Sequence, residues 1–294
     1  MRFGAHMSTA GGVWRALQRA RLVGAEVCQI FVKNNMRWFG KPRGQQELAL
    51  YAKELAKAPL ACVFGHAGYL INLAAQPSAN RQQSIKSLIQ EIQFATTLGL
   101  PFLVLHPGAH LGAGEAEGLR QVVAGLNEVC TATKDSPVRI ALENTAGQGT
   151  CLGARLEELG AIFQKVKRPE RLGVCIDTAH LFAAGYDIRK PRLWDAAVAS
   201  LIGLVGPENI LAFHLNDSKT ALGSRVDRHA HIGHGKIGRA GFRHIVNDSR
   251  FTNHPGCLET PKSLELTEDA ENLATLRSLV KRTGSCQQKA ARER

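Results

Sequence analysis

Residues 172–187 read LGVCIDTAHLFAAGYD: a short apolar run, then Asp177, then His180 three places on. The run is too short for a helix and does not alternate, the pattern of a strand covered on both faces of a parallel sheet. The same arrangement recurs on either side. Upstream, LACVFGH (60–66), PFLVLH (101–106) and VRIALE (138–143) each close an apolar run on an imidazole or a carboxylate. Downstream, ILAFH (210–214) and GCLE (256–259) do so again, and RFGA (2–5) and EVCQIFV (26–32) supply two further runs. Between them lie amphipathic stretches. One is 81–99, stopped at Gly99; another is 267–282, for which Thr267 is the expected N-cap. Eight strands alternating with helices over about 280 residues predict an α/β protein, a (β/α)8 TIM barrel with parallel strands. A doubly wound open sheet is the runner-up.

The residues that close the runs say more than the runs themselves. His66, His106, Glu143, Asp177, His214 and Glu259 are spaced by 40, 37, 34, 37 and 45 residues, one strand–helix unit each time. In a parallel barrel all of them fall on the C-terminal rim and converge on one site. His180 joins from the sixth unit, and the long polar loop 216–241 adds Asp227 and His229. One such residue at a strand end is commonly a hydrogen-bonded or capping group. Nine at equivalent positions are harder to explain that way, because four unpaired carboxylates on one rim would repel and resist desolvation. Divalent cations remove the conflict. Mixed nitrogen and oxygen donors without thiolate favour Zn²⁺ or Mn²⁺, with Fe²⁺ an alternative. Nine groups suffice for two or three ions if one carboxylate bridges. His231 competes with His229 within DRHAH (227–231), and His6, ending the first run, is placed to support the ligands. His110, His234, His244 and His254 read as surface or loop residues.

Composition bounds the rest. The chain has 294 residues, 44% hydrophobic and 21% charged, which excludes a disordered or fibrous protein. The 37 Lys+Arg against 25 Asp+Glu leave a net +12, favouring a polyanionic partner such as nucleic acid. Seven cysteines form no CxxC pair, and an odd number cannot all be bridged within the chain. No stretch approaches the roughly 18 apolar residues of a membrane span, and MRFGAHMSTAGG (1–12) lacks the apolar region of a signal peptide. A reduced, cytoplasmic chain without membrane contact is expected, nucleoid-associated if bacterial. Residues 1–282 read as a single barrel domain and 283–294, TGSCQQKAARER, as a basic flexible tail.

The longer blocks around the nine residues carry a resemblance. HAGYLINLA (66–74), LHPGAH (105–110), ALENTAGQG (141–149), GVCIDTAHLFAAGYD (173–187) and FHLNDSKTALGSRVDRHAHIGHGKIG (213–238) strongly resemble the endonuclease IV family. Its members are metal-dependent abasic-site (AP) endonucleases of base-excision DNA repair. The similarity runs from GAHMSTAGG (4–12) to CLETPK (257–262), nearly the whole chain. It implies three Zn²⁺ ions. His66, His106 and a bridging Glu143 hold the first; Glu143, Asp177, His214 and Glu259 hold the second; His180, Asp227 and His229 hold the third. It implies hydrolysis of the phosphodiester 5′ to an abasic site in double-stranded DNA, leaving 3′-hydroxyl and 5′-deoxyribose phosphate ends. Action on blocked 3′ ends, by a monomer, is implied as well. Glu143 is the catalytic candidate, placed to orient the attacking hydroxide.

The resemblance also assigns a Tyr-Leu pair, here Tyr69-Leu70, to penetrate the duplex, and Arg225 and Arg228 to phosphates, with Lys219 of the same kind. Two departures stand out. The family's KNxRxW is KNNMRW here (33–38), so Met36 takes the usual Arg position and Arg37 follows it. Arg37 is then a candidate DNA contact without a directly transferable role, and Met36 a candidate apolar wedge. The family's DTCH is DTAH, with Ala179 for a Cys that is not a ligand. The rival enzyme reading is a xylose-isomerase-like sugar isomerase or epimerase, which shares the rim layout but generally needs fewer ligands and no Arg-bearing loops. A DNA-binding protein with an inactive metal site is the rival outside catalysis.

Overall fold

The computed structural model describes residues 1–57 and 60–281; the tail expected at 283–294 lies outside them. The apolar runs are strands: β1 (Arg2–His6), β2 (Val27–Phe31), β3 (Cys62–His66), β4 (Phe102–Leu105), β5 (Arg139–Glu143), β6 (Leu172–Asp177) and β7 (Ile210–His214). After a two-stranded hairpin, β8 (Asp217–Ser218) and β9 (His229–Ala230), comes β10 (Pro255–Leu258). The eight main strands pair in parallel and close into a barrel in the order β1-β10-β7-β6-β5-β4-β3-β2, which rules out the open sheet. Closure joins the two ends of the chain: Arg2, Phe3, Gly4 and Ala5 pair with Pro255, Gly256, Cys257 and Leu258. At Gly4 the strands approach so closely that a Cβ would sit 1.8 Å from the Val27 carbonyl oxygen, so only glycine fits.

Helices α1 (Val13–Leu22), α2 (Gln45–Lys57), α3 (Ala79–Thr97), α4 (Glu115–Ala132), α5 (Leu156–Lys165), α6 (Thr178–Ala184), α7 (Pro191–Val205), α8 (Gly238–Ile245) and α9 (Thr267–Leu279) cover the outside. One face of each strand therefore meets helices and the other meets the barrel interior, which explains why the runs are apolar without alternation. Val27, Phe64, Phe102, Val104, Ala141, Cys175, Ala212 and Cys257 fill the interior as one small cluster, and a larger core lies between sheet and helices. None of the described helices is long and apolar enough to cross a membrane.

Boundaries shift by small amounts. The helix expected from 81 starts at Ala79, because the Ser78 hydroxyl accepts from Arg81 N at 3.2 Å and caps it; it stops as expected, with Gly99 at φ 67°. Thr267 is the first helical residue of α9 rather than its cap, a position taken by Leu266 at φ 60°. The start of α9 is tied instead through Glu268, whose carboxylate accepts from the backbone and hydroxyl of Ser263 at 3.0 and 2.7 Å.

Candidate metal centre

A strand presents every second side chain to the same face. Phe64, Val104, Ala141, Cys175, Ala212 and Cys257 already point into the barrel, so His66, His106, Glu143, Asp177, His214 and Glu259, two places on, are the next inward positions and stand above that plug. The β4 and β10 strands end at Leu105 and Leu258, and His106 and Glu259 are the first residues beyond them.

Glu143 is the hub. Its Oε2 lies 3.2 Å from His66 Nε2 and 3.0 Å from His106 Nε2; its Oε1 lies 2.8 Å from His214 Nδ1 and 3.2 Å from His180 Nδ1. Three clusters of donor atoms within 4.8 Å of one another result: His66, His106 and Glu143; Glu143, Asp177, His214 and Glu259; Asp177, His180 and His229. Asp227 reaches the third cluster from the loop, with Oδ2 at 3.1 Å from His180 Nε2 and Oδ1 at 3.2 Å from His229 Nε2. All nine residues singled out in the sequence thus meet at one place. Asp177 touches two of the clusters, a sharing the spacing did not suggest. His231 is turned away, its Nδ1 3.0 Å from Asn272 Nδ2 on α9.

Hydrogen bonds fix which ring nitrogens are free. A carbonyl oxygen can only accept, so His66 Nδ1, 2.8 Å from Ala67 O, carries the proton, as does His180 Nδ1, 2.9 Å from Asn144 O. Their Nε2 atoms face the carboxylates and are the positions at which a cation would replace a proton. His214 is set the other way by Gln29, a residue that sequence reading missed. The Gln29 amide nitrogen donates to Glu259 Oε1 at 2.5 Å and contacts His6 Nδ1 at 2.8 Å, which turns its oxygen toward His214 Nε2 at 2.7 Å. His214 Nδ1 is left facing the carboxylates. Gln29 has no exposed surface, and a fully buried amide inside the apolar run EVCQIFV was the one available signal. Asn144 and Asn216 were missed too. Asn216 donates to Asp177 Oδ2 at 2.7 Å and accepts from Glu259 N at 2.7 Å, while Asn144 brackets the Asp177 backbone.

The loop between β7 and α8 depends on a buried acid of its own. Asp217 accepts from the backbone amides of Ser218 at 2.8 Å, Gly233 at 2.9 Å, Gly235 at 3.1 Å, Ile237 at 2.9 Å and Gly238 at 3.1 Å. A Cβ on Gly235 would lie 2.4 Å from Asp217 Oδ1. That cradle folds the segment back so that Asp227 and His229 reach the rim.

Among the described residues, the ion-pair partners of Glu143, Asp177, Asp227 and Glu259 are all imidazoles. Burial pushes the Glu143 carboxyl up, yet His214 and His106 hold it well below the usual range. Burial lowers His180 and His214, yet Asp177, Asp227 and Glu143 around the first, and Cys175, Glu143 and Glu259 around the second, hold both well above it. Burial likewise lowers His229, but Asp177 and Asp227 push it up to about 9. A dense set of nitrogen and oxygen donors without thiolate, carboxylates facing imidazoles on every side, fits divalent cations.

A cavity of about 930 Å³ opens onto this centre, lined by Tyr69, Lys219, Asp227, Arg228 and His229 among others. Arg37, Leu70 and Arg225 do not line it. Arg37 faces a separate groove with Lys41 and Arg43, while Arg225 is exposed on the loop at φ 54°, a conformation costing a non-glycine residue about 1–2 kcal/mol. Tyr69 and Met36 are 66% and 65% exposed. Ala179 is buried in α6.

The family model of the xylose isomerase-like TIM barrel matches residues 17–279. The chain is 48% identical to a probable endonuclease 4 of Chloroflexus aggregans over 97% of its own length and 99% of that protein's. It is 44% identical to a probable endonuclease 4 of Geobacter sulfurreducens, over 95% and 94%. Endonuclease IV from Thermus thermophilus superposes with a TM-score of 0.83 at 34% identity, over 95% of this chain and 98% of the other. A D-tagatose 3-epimerase-like protein superposes with a TM-score of 0.71 at 17% identity, a likeness of fold alone.

Proposed function

The chain belongs to the endonuclease IV family of xylose isomerase-like TIM barrels, and from that premise we propose that it is an abasic-site endonuclease of DNA repair. One observation carries the reading: nine nitrogen and oxygen donors from seven strand and loop segments meet around Glu143 beneath a cavity edged by cationic side chains. His66, His106 and Glu143 would hold one ion, Glu143, Asp177, His214 and Glu259 a second, and His180, Asp227 and His229 a third; zinc suits this donor set, as would Mn²⁺ or Fe²⁺. When bound, such ions acidify water to hydroxide near neutral pH and offset charge on the phosphate and the departing 3′-oxygen.

The chain's own groups do the rest. Glu143, shared between two clusters and ringed by four imidazoles, orients the attacking water toward the phosphodiester 5′ to the lesion. Arg228, with Lys219 beside it, contacts phosphate oxygens at the cavity edge, and Arg225 and Arg37 contact them farther along the strand. Tyr69 and Leu70 fill the space vacated when the abasic nucleotide leaves the stack, a cheap extrusion because that nucleotide has lost its pairing and stacking. Blocked 3′ ends present the same phosphodiester geometry and are the second expected substrate. Every group in the site comes from one chain, which supports action as a monomer.

The test is single-turnover cleavage of a labelled duplex bearing one tetrahydrofuran abasic analogue, with zinc-loaded protein and an Asp227→Ala control. The analogue cannot undergo β-elimination, so a nick 5′ to it with a 3′-hydroxyl end establishes hydrolysis. Binding without a nick would sink the proposal, and no binding at all would return attention to sugar isomerisation.

A further inference from the structure

Away from the metal-binding groups, the most deeply buried ion pair among the described residues is Lys33 with Glu91. Lys33 Nζ lies 2.9 Å from Glu91 Oε1, and the two side chains are 3% and 1% exposed. Such a pair is weak evidence for stability, since well-packed apolar residues often do as well. Its other contacts show what it holds. Lys33 Nζ donates to the carbonyl oxygens of Arg37 at 2.6 Å and Asn34 at 3.4 Å, gathering the loop that follows β2. Glu91, on α3, accepts from Gly68 N with both carboxylate oxygens, at 3.2 and 3.1 Å, and so grips the loop that follows β3.

The two loops also touch directly: Tyr69 N donates to Asn35 O at 3.2 Å. A Cβ on Gly68 would lie 3.0 Å from Lys33 Nζ and 3.1 Å from Asn35 O, so glycine is what lets them close on each other. Met36 follows Asn35, Tyr69 follows Gly68, and each leaves the joined backbones about two-thirds exposed. Behind them the Tyr69 ring meets Phe31 of β2 edge-on at 5.3 Å, which braces it from the barrel side.

We propose that the Lys33–Glu91 pair is a positioning strut that makes the β2–α2 and β3–α3 loops one rigid unit, so that Met36 and Tyr69 enter the duplex together as a two-residue apolar wedge. This rests on the abasic-endonuclease reading. The strut acts on the distortion of DNA: the hydrogen bonds and the ion pair of Lys33 and Glu91 go to each other and to loop backbone, and to none of the nine ligands. Met36 then takes part in opening the helix at the position where the family usually carries an arginine.

The test compares two zinc-loaded proteins, wild type and Lys33→Met/Glu91→Gln, on two substrates. The Gln keeps an acceptor for Gly68 N while the tie to Arg37 and Asn34 is lost. One substrate carries the tetrahydrofuran site in a fully paired duplex, the other in an unpaired bubble that needs no wedge. The double variant should raise KM on the paired duplex by about tenfold, with reduced 2-aminopurine fluorescence beside the lesion, and stay within about twofold on the bubble. Met36→Ser, which disturbs no buried group, should raise the duplex KM by a similar factor and covers the case in which the double variant does not fold. Equal losses on both substrates, or no loss on the duplex, would overturn the strut. Failure of the wild type to cut either substrate would overturn the endonuclease reading, and the strut with it.

Discussion

The rim of the barrel and the loops above it hold charged groups in place by different means. On the rim, position comes from the pleat: each ligand is the next inward residue above a packed one, as Phe64 leads to His66 and Ala141 to Glu143. Eight hydrogen-bonded strands share the cost, and no further device is needed to place the Cα atoms. The loops have no ladder. There, Asp217 gathers five backbone amides and Lys33–Glu91 joins two segments, each a buried charge doing the work of a strand. The ligands, rim and loop alike, should therefore govern the chemical step, and the exposed loop side chains the DNA.

The largest effect expected from this contrast is at Glu143. Glu143→Gln keeps the shape but removes the charge facing four imidazoles, and single-turnover cleavage should fall by about 10²–10⁴-fold with DNA affinity little changed. Full turnover at full metal content would break the contrast at its strongest point. Next comes Gln29→Leu, which frees His214 Nε2 and Glu259 from their common amide. Metal affinity, read by competition with a chromogenic chelator, should drop about 10–100-fold.

A smaller effect follows from pH. His229 is pushed up to about 9 in the ion-free chain, above its ordinary 6.5. A raised value means that its protonated form stabilises the ion-free fold fully below pH 6.5 and that this is lost as pH rises through 9. Metal binding must displace the same proton, so the gap in Tm between zinc-loaded and chelated protein should widen from pH 6.5 to 9. A constant gap would show that the ligands do not titrate with the metal. The smallest effect belongs to the loops. Arg228→Ala should lower the slope of log affinity against log salt by about 0.9 and leave kcat unchanged.

The same division explains what could be read from the sequence. The six rim ligands were legible because each ends an apolar run at one strand–helix interval, His180 because it stands three places after Asp177, and Asp227 and His229 because an acid and an imidazole in a polar loop stand out. Gln29, Asn144 and Asn216 were not, since neutral amides have no spacing rule and their roles exist only once barrel closure brings the ends of β2, β5 and β7 around one rim. Asp217 was hidden for a related reason: its partners are backbone amides up to 21 residues away, which no side-chain pattern records. The N-cap expected at Thr267 failed because the tie to the preceding loop runs through Glu268 and Ser263.

Closure of the barrel between β1 and β10 has a consequence for the order of events in the cell. Glu259 directly follows β10, whose register is set by pairing with residues 2–5. At roughly 5–20 residues per second, a ribosome needs tens of seconds to pass from one partner to the other. Only over the last part of that interval, after His229 is made, does the growing chain carry eight of the nine ligands, and it then still lacks the carboxylate that completes the middle cluster. A chain assembled in this order acquires both its closed barrel and its full ligand set with the same last strand, so the site is completed at the end of synthesis and not by stages.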